Sequence, residues 1–229
     1  MCMDPKPKNP KENKVTILGL GGAGGQILHY IAEQEGKCNE DYSLLYADDD
    51  KQSLIESTIK AIRVADYKGE DIENLIYEIQ DSKKLIIVTG LGGGFGTLAV
   101  PMIIYIAEEL GLDFELVLTY PGKFEGKKVR ANADLVAGLL NQFDINATIF
   151  EFDELIKNLD KKVRLCDCFR IMDEVIYQKI KQWALFIPNF KIMYLFLQIF
   201  IITVKVYTPV INEQIAGFFH VCNIINKLF

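Results

Sequence analysis

Cysteine and histidine are too sparse here to build a metal site or a disulfide framework. The five cysteines, Cys2, Cys38, Cys166, Cys168 and Cys222, are odd in number and scattered. Cys166-x-Cys168 has no second cysteine pair to complete a zinc site, and the only histidines are His29 and His220. The opening MCMDPKPKNPKENK is polar and Pro/Lys-rich, without the apolar stretch of a signal peptide. A reducing cytoplasm is therefore the expected setting. A basic stripe is also missing. Acidic residues outnumber basic ones by 31 to 25, for a net charge of -6, so nucleic acid is not expected as a partner. A membrane is not expected either. The stretch from Ala184 to Val206 is highly apolar, but Pro188, Asn189, Lys191 and Gln198 interrupt it, and the uninterrupted part is short for a span. No internal repeat or low-complexity segment is present.

What the chain does have is core-forming material: 229 residues, 50% hydrophobic and 24% charged, enough for one well-buried core. Residues 1–13 read as a flexible tail. From Lys14, apolar runs alternate with amphipathic ones. The expected strands are Val15–Leu18, Ser43–Tyr46, Ala61–Ala65, Leu85–Val88, Leu116–Thr119 and Thr148–Phe150. Helical segments between most of them imply an α/β fold, a parallel sheet with helices on its faces. Short apolar runs without strict alternation suit strands buried on both sides. A helix is predicted over Thr97–Leu110, with Thr97 as N-cap, Pro101 near the start and Gly111 just past the end. A long helix is predicted over Val163–Trp183, with Leu165, Phe169, Met172, Ile176, Ile180 and Trp183 on its apolar face. Residues 184–229 form a short apolar C-terminal segment, expected to favour self-association if exposed.

Two glycine-rich loops carry the chemistry. Gly19-Leu-Gly21-Gly22-Ala23-Gly24-Gly25-Gln26 follows the strand KVTIL and should open a helix. Strand, glycine turn and helix N-terminus make an anion site, because backbone amides can approach a phosphate and the helix dipole adds positive potential. Gly90-Leu-Gly92-Gly93-Gly94-Phe95-Gly96-Thr97 follows KKLIIV and also opens a helix. Three consecutive glycines carry a large entropic cost that a plain turn does not require. Converging several amides on one anion does require them. Two such loops on one sheet edge would hold a di- or triphosphate from both sides. Neither loop contains the lysine of a Walker A motif, which argues against P-loop enzymes.

GLGGGFGT followed by LAVPMIIYIAEELG resembles the signature loop and helix of the FtsZ/tubulin family. The resemblance runs from about Lys14 to Trp183. KVTILGLGGAGGQ resembles the family's first phosphate loop and LLYADDDKQSL its next strand and loop, so Asp48 to Asp50, Asp48 and Asp49 above all, are expected to face the nucleotide or its metal. VLTYPGKFEGKKVRANAD resembles the sugar-facing segment, which assigns ribose contact to Glu125. DCFRIMDEVIYQKI resembles the central helix, which assigns stacking on guanine to Phe169 and base reading to Asp173. A carboxylate there can accept from guanine N1–H and N2–H₂. The departures are Phe95 and Leu98, expected to crowd the phosphate cradle, Val129 where the family has an arginine, with Arg130 adjacent, and Phe152 where it has an asparagine. The residues after Trp183 also lack the family's Asn-x-Asp-x-x-Asp loop, which completes catalysis in a neighbouring subunit.

The resemblance implies the family's Rossmann-like three-layer GTPase fold over 14–183, with a long central helix and a short apolar C-terminal remnant. It implies binding of GTP or GDP with Mg²⁺ and weak or absent hydrolysis alone. The partners it implies are copies of this chain or an intact FtsZ, in cell division or a cytoskeletal polymer. No catalytic residue and no protein-only metal site are assigned. Two other readings stand. One is a Rossmann NAD-dependent oxidoreductase, supported by Gly19-x-Gly21-x-x-Gly24 and by Asp48 at the end of the next strand. The other is an interaction protein with a vestigial pocket, supported by Phe95, Val129 and Phe152.

Overall fold

The computed structural model describes residues 14–36, 41–65, 69–157, 159 and 162–185. All of these except Leu185 fall in the first of two units, Met1–Ala184. The expected tail at 1–13 and the apolar segment beyond 185 lie outside the described residues.

Strands and helices alternate along the chain: β1 Val15–Leu20, α1 Gly21–Glu35, β2 Tyr42–Asp48, α2 Lys51–Glu56, β3 Lys60–Arg63, α3 Glu70–Ile79, β4 Lys84–Gly90, α4 Phe95–Glu109, β5 Phe114–Tyr120, α5 Lys127–Gln142, β6 Thr148–Glu151, α6 Phe152–Lys157 and α7 Leu165–Leu185. All six strands pair in parallel in the order β3-β2-β1-β4-β5-β6. Each predicted strand is present. β1, β2 and β4, paired on both sides, each run two residues further at their C-terminal ends, whereas the edge strand β3 ends at Arg63, two residues short of the expected Ala65.

Every residue of β1 is buried, because the sheet is covered on both faces. Leu18 and Leu20 join a core cluster with Leu75 and Ile79 of α3, Ala99 and Ile103 of α4, and Val136 and Leu140 of α5. The alternating residues face α1, whose Leu28 would clash with any side chain added at Gly19. The long helix α7 lies along α1, joined to it at three levels. Gln26 Nε2 donates to Asp173 Oδ2 at 3.0 Å, Tyr30 donates to Glu174, and Glu35 pairs with Lys181 at 2.8 Å while accepting from Tyr177. The buried face of α7 is Cys168, Met172, Ile176 and Ile180, joined by Asp173 and Tyr177. Leu165, expected on that face, is exposed at the helix start.

The end of α4 follows the sequence rule. Gly111 adopts φ +64°, its N–H donates to Glu108 O, and Leu112 N–H donates to Ala107 O. These two bonds satisfy the carbonyls of the last turn. The start of α4 differs from expectation. Its N-cap is Gly94, and Thr97 lies inside the first turn.

Candidate functional site

The winding of the sheet reverses between β1 and β4, its two central strands. The loops that follow them leave the same sheet edge side by side, forming the crevice where open α/β sheets bind ligands. The register pairs Gly19 with Val88 and Leu20 with Thr89. Thr89 Oγ1 donates to Leu20 O at 2.8 Å and ties the two strand ends together. Just beyond, the loops touch. Gly21 has φ +68°, and a Cβ there would come within 3.0 Å of Gly96 N. A Cβ on Gly96 would collide with the Thr89 hydroxyl and reach 3.0 Å from Leu20 O. Glycine is required at this contact because no side chain fits between the two backbones.

The N-termini of α1 and α4 therefore meet at one place. Neither helix has a side-chain cap, and neither has an acidic residue in its first turn. The first-turn amides of a helix have no intrahelical partners, so both helices offer donors and positive dipole ends to an anion. Neighbouring α2 is different: Asp50 caps it, accepting from Gln52 N at 3.1 Å and Ser53 N at 3.3 Å. A Cβ added at Gly22, Gly93 or Gly94 would meet nothing within 4 Å. Both loops thus present bare backbone to open space, as a phosphate cradle demands.

That space is a cavity of about 540 Å³, within the roughly 300–1,000 Å³ of small-molecule sites. It gathers most of the residues singled out in the sequence: Gly21, Gly22, Ala23, Gln26, Asp48, Asp49, Gly93, Gly94, Phe95, Gly96, Glu125, Phe169 and Asp173 all line it. Gly24, Gly25, Gly92 and Thr97 do not. A Cβ on Gly24 would meet Val88 O at 2.5 Å, and one on Gly25 would meet the Tyr46 ring at 2.6 Å, so these two glycines seat α1 on the sheet. Gly92 lies against Val129 and donates its N–H to Thr97 Oγ1 at 2.8 Å. The Thr97 hydroxyl braces the loop from behind.

The two substitutions expected to crowd the cradle sit differently, Phe95 on the cavity wall and Leu98 outside it. Phe95 is buried and belongs to the same core cluster as Leu20, Leu91 and Val100. Leu98 is 66% exposed and faces a separate groove between α4 and α5. Arg130 is not among the residues lining the cavity. Its Nη1 donates to Pro121 O at 2.7 Å and pairs with Asp153 at 3.2 Å, and its guanidinium sits 4.9 Å above the Tyr120 ring.

The acidic run after β2 is largely engaged with itself. Asp48 is buried. It accepts from Tyr46 Oη at 2.5 Å through one oxygen and from the Asp49 and Asp50 amides, at 2.8 and 3.3 Å, through the other. Burial, followed by its bond to Asp48, holds the Tyr46 hydroxyl above its ordinary pKa. Burial and the adjacent Asp48 raise Asp49, and the Ser53 hydroxyl lowers Asp50. Among the described residues, no group of three or more His, Cys, Asp or Glu could hold a metal ion. Glu125 accepts from Gly122 N at 2.9 Å and keeps its place at the cavity edge.

One end of the cavity is apolar and aromatic. Phe152 is 3% exposed and lies 4.8 Å from Phe169, ring centre to ring centre, and Phe124 packs against both, 5.2 Å from Phe152 and 6.2 Å from Phe169. Phe169 is 36% exposed and lines the cavity. Met172 and Asp173 continue this lining. Asp173 is 7% exposed; burial raises its carboxyl pKa, and the bond from Gln26 opposes that rise. Phe152 stands where the resemblance puts a nucleotide-facing residue, whereas Met172 was expected only on the apolar face of α7 and not as a lining residue.

No family model matches the chain. FtsZ of Buchnera aphidicola is 30% identical over 181 residues, covering 71% of this chain and 46% of that protein. FtsZ of Helicobacter pylori is 28% identical over 188 residues, covering 74% and 48%. Among solved structures, an empty FtsZ dimer from M. jannaschii superimposes with a TM-score of 0.66 at 26% identity, over 77% of this chain and 55% of that one. The chain thus spans about half the length of the curated relatives it matches. With the order of motifs, the all-parallel sheet and these likenesses together, the chain is a divergent FtsZ/tubulin-like protein.

Proposed function

We propose that this chain binds GTP or GDP, with Mg²⁺, in the cavity between the two glycine loops. One observation carries this reading. Two uncapped helix N-termini with bare glycine backbone converge on the cavity that also holds the buried carboxylate Asp173. The first feature suits phosphates of any nucleotide. The second suits a base with adjacent N–H donors, which is guanine rather than adenine. The partly exposed Phe169 on the cavity wall is proposed to stack on the base. Mg²⁺ typically takes one or two carboxylates plus phosphate oxygens. Asp49, beside the bonded Asp48 and Asp50 on the cavity wall, is the carboxylate proposed to approach it, by exchanging its own bond to Asp48.

Hydrolysis by the chain alone is proposed to be weak or absent. Phosphoryl transfer needs charge neutralisation and a positioned water. Val129 and the engaged Arg130 leave no arginine on the cavity wall among the described residues, and ALFIPNFKIMYLFLQIF, from Ala184 on, contains no carboxylate. The role proposed is that of a divergent polymer component or regulator in cell division, through contact with its own copies or with an intact FtsZ. The NAD reading shares the strand order, but its ribose acid, Asp48, has both oxygens engaged. His29, the one described histidine, bonds to Gly25 O at 2.8 Å and to Ser57 and Thr58.

The test is selectivity in Asp173→Ala. The wild type should prefer GDP over ADP by tenfold or more, and the variant should bind both equally. Equal affinities in the folded wild type would overturn the guanine assignment.

A further inference from the structure

Between α1 and the base end of the cavity lies one polar contact that joins residues 147 positions apart, Gln26 Nε2 to Asp173 Oδ2 at 3.0 Å. Asp173 is nine-tenths buried, and the described residues show no cation paired with it. A buried carboxylate without a cation is costly to keep charged and tends to take up a proton instead. A protonated carboxyl is a poorer acceptor for two adjacent N–H groups, because one of its oxygens becomes a donor. The next turn of α1 does not compete for this carboxylate, since the Tyr30 hydroxyl is given to Glu174. Burial of Tyr46 against Gly25 and of Ile27 in the core fixes the turn of α1 that carries Gln26.

We infer that Gln26 is a positioning residue for base selection: its side-chain amide holds the Asp173 carboxylate at the cavity wall, aimed to receive the N–H groups of a guanine base. This rests on the guanine-nucleotide reading of the site and adds to it the group on which selection depends. Gln26 lines the same cavity and so closes the wall beside the carboxylate it holds. Its donated bond also opposes the upward pull of burial on the Asp173 carboxyl. Other titratable groups near this pair are Tyr30 on α1, Arg170 and Glu174 on α7, and Asp48, Asp49, Asp50 and Glu125 around the cavity. Desolvation and Gln26 are the influences that set Asp173 itself.

The experiment compares the full wild-type chain with Gln26→Met, which keeps the length of the side chain and removes the donor. The Asp173 carboxyl is first titrated without ligand by carbon-detected NMR, assigned with Asp173→Asn. The expected result is a higher midpoint in Gln26→Met. Calorimetry with GDP and with ADP at pH 8, 7 and 6 follows. Wild-type GDP affinity should stay level, whereas Gln26→Met should lose about tenfold, more at pH 6 than at pH 8, with ADP unaffected. An unchanged carboxyl midpoint and an unchanged pH profile would show that Gln26 merely packs, and would overturn the inference while leaving guanine binding intact. Failure of the folded wild type to prefer GDP over ADP would instead overturn the underlying reading. If Gln26→Met does not fold, Gln26→Leu serves for the same two readouts.

Discussion

Two glycines in the second loop, two positions apart, should respond to alanine in opposite ways. Gly96 touches the other loop. An added Cβ would strike the Thr89 hydroxyl and approach Leu20 O to 3.0 Å, displacing the 2.8 Å bond between them. Overpacking of this kind costs about 1–3 kcal/mol, and a buried hydroxyl deprived of its partner adds about 1 kcal/mol or more. Better helix propensity returns about 0.5–1 kcal/mol. The net loss is about 2–3 kcal/mol, or roughly 5–10 °C in Tm for a unit of this size. Gly94 has φ -72°, and an added Cβ there meets nothing within 4 Å. Reduced unfolded-state entropy and the weaker capping of alanine nearly cancel, leaving stability within about 0.5 kcal/mol. The methyl group would, however, occupy space proposed for a phosphate and should weaken GDP binding about tenfold or more. Thermal melts and GDP titrations of Gly94→Ala and Gly96→Ala decide the matter. A destabilised Gly94→Ala with normal binding, or a Gly96→Ala as stable as wild type, would refute this division of labour.

Phe169→Ala should weaken GDP binding about 5- to 150-fold, the loss of one base–aromatic stack at about 1–3 kcal/mol, and unchanged affinity in a calorimetric titration would remove Phe169 from the site. Leu98→Gly restores the residue usual in the family, but Leu98 is exposed away from the cavity. GDP affinity should therefore stay within about twofold while the helix loses about 1 kcal/mol; a gain in affinity beyond that would show that the leucine does obstruct the cradle. The Lys181 ammonium, helped by the Tyr177 hydroxyl, holds the Glu35 carboxyl down at about 2. Because the folded value is depressed, this contribution is fully present above about pH 4.5 and is lost as pH falls towards 2. Melts followed through Trp183 should show a steeper acid loss of Tm between pH 5 and 3 in the wild type than in Glu35→Gln. Equal slopes would mean that the contact does not hold α7 to α1.

Much of the fold was legible because its signals are local. Six apolar runs separated by helical stretches became six parallel strands, and glycine at 111 ended α4 as its left-handed conformation allows. Features that depend on the opposite side of the molecule were not legible. Thr97 fits the preference for an N-cap, yet its hydroxyl is taken by Gly92 N–H from the loop behind. Leu165 matches the periodicity of α7 but is half exposed at the helix start. Both glycine loops could be read as phosphate cradles. Which glycines form the cradle and which seat α1 on the sheet depends on Val88, Tyr46 and Val129, contributed by other strands and helices. The bond from Gln26 to Asp173 and the ring of Phe152 against Phe169 exist only after α7 has packed.

Calorimetric titration of the full chain with GTP, GDP, ATP and NAD, each with Mg²⁺, tests the central claim most directly. Saturable binding of GTP and GDP, at least tenfold tighter than ATP or NAD, is the result the cavity predicts. Binding of NAD alone, or no binding to a chain whose cooperative melt shows it to be folded, would contradict it.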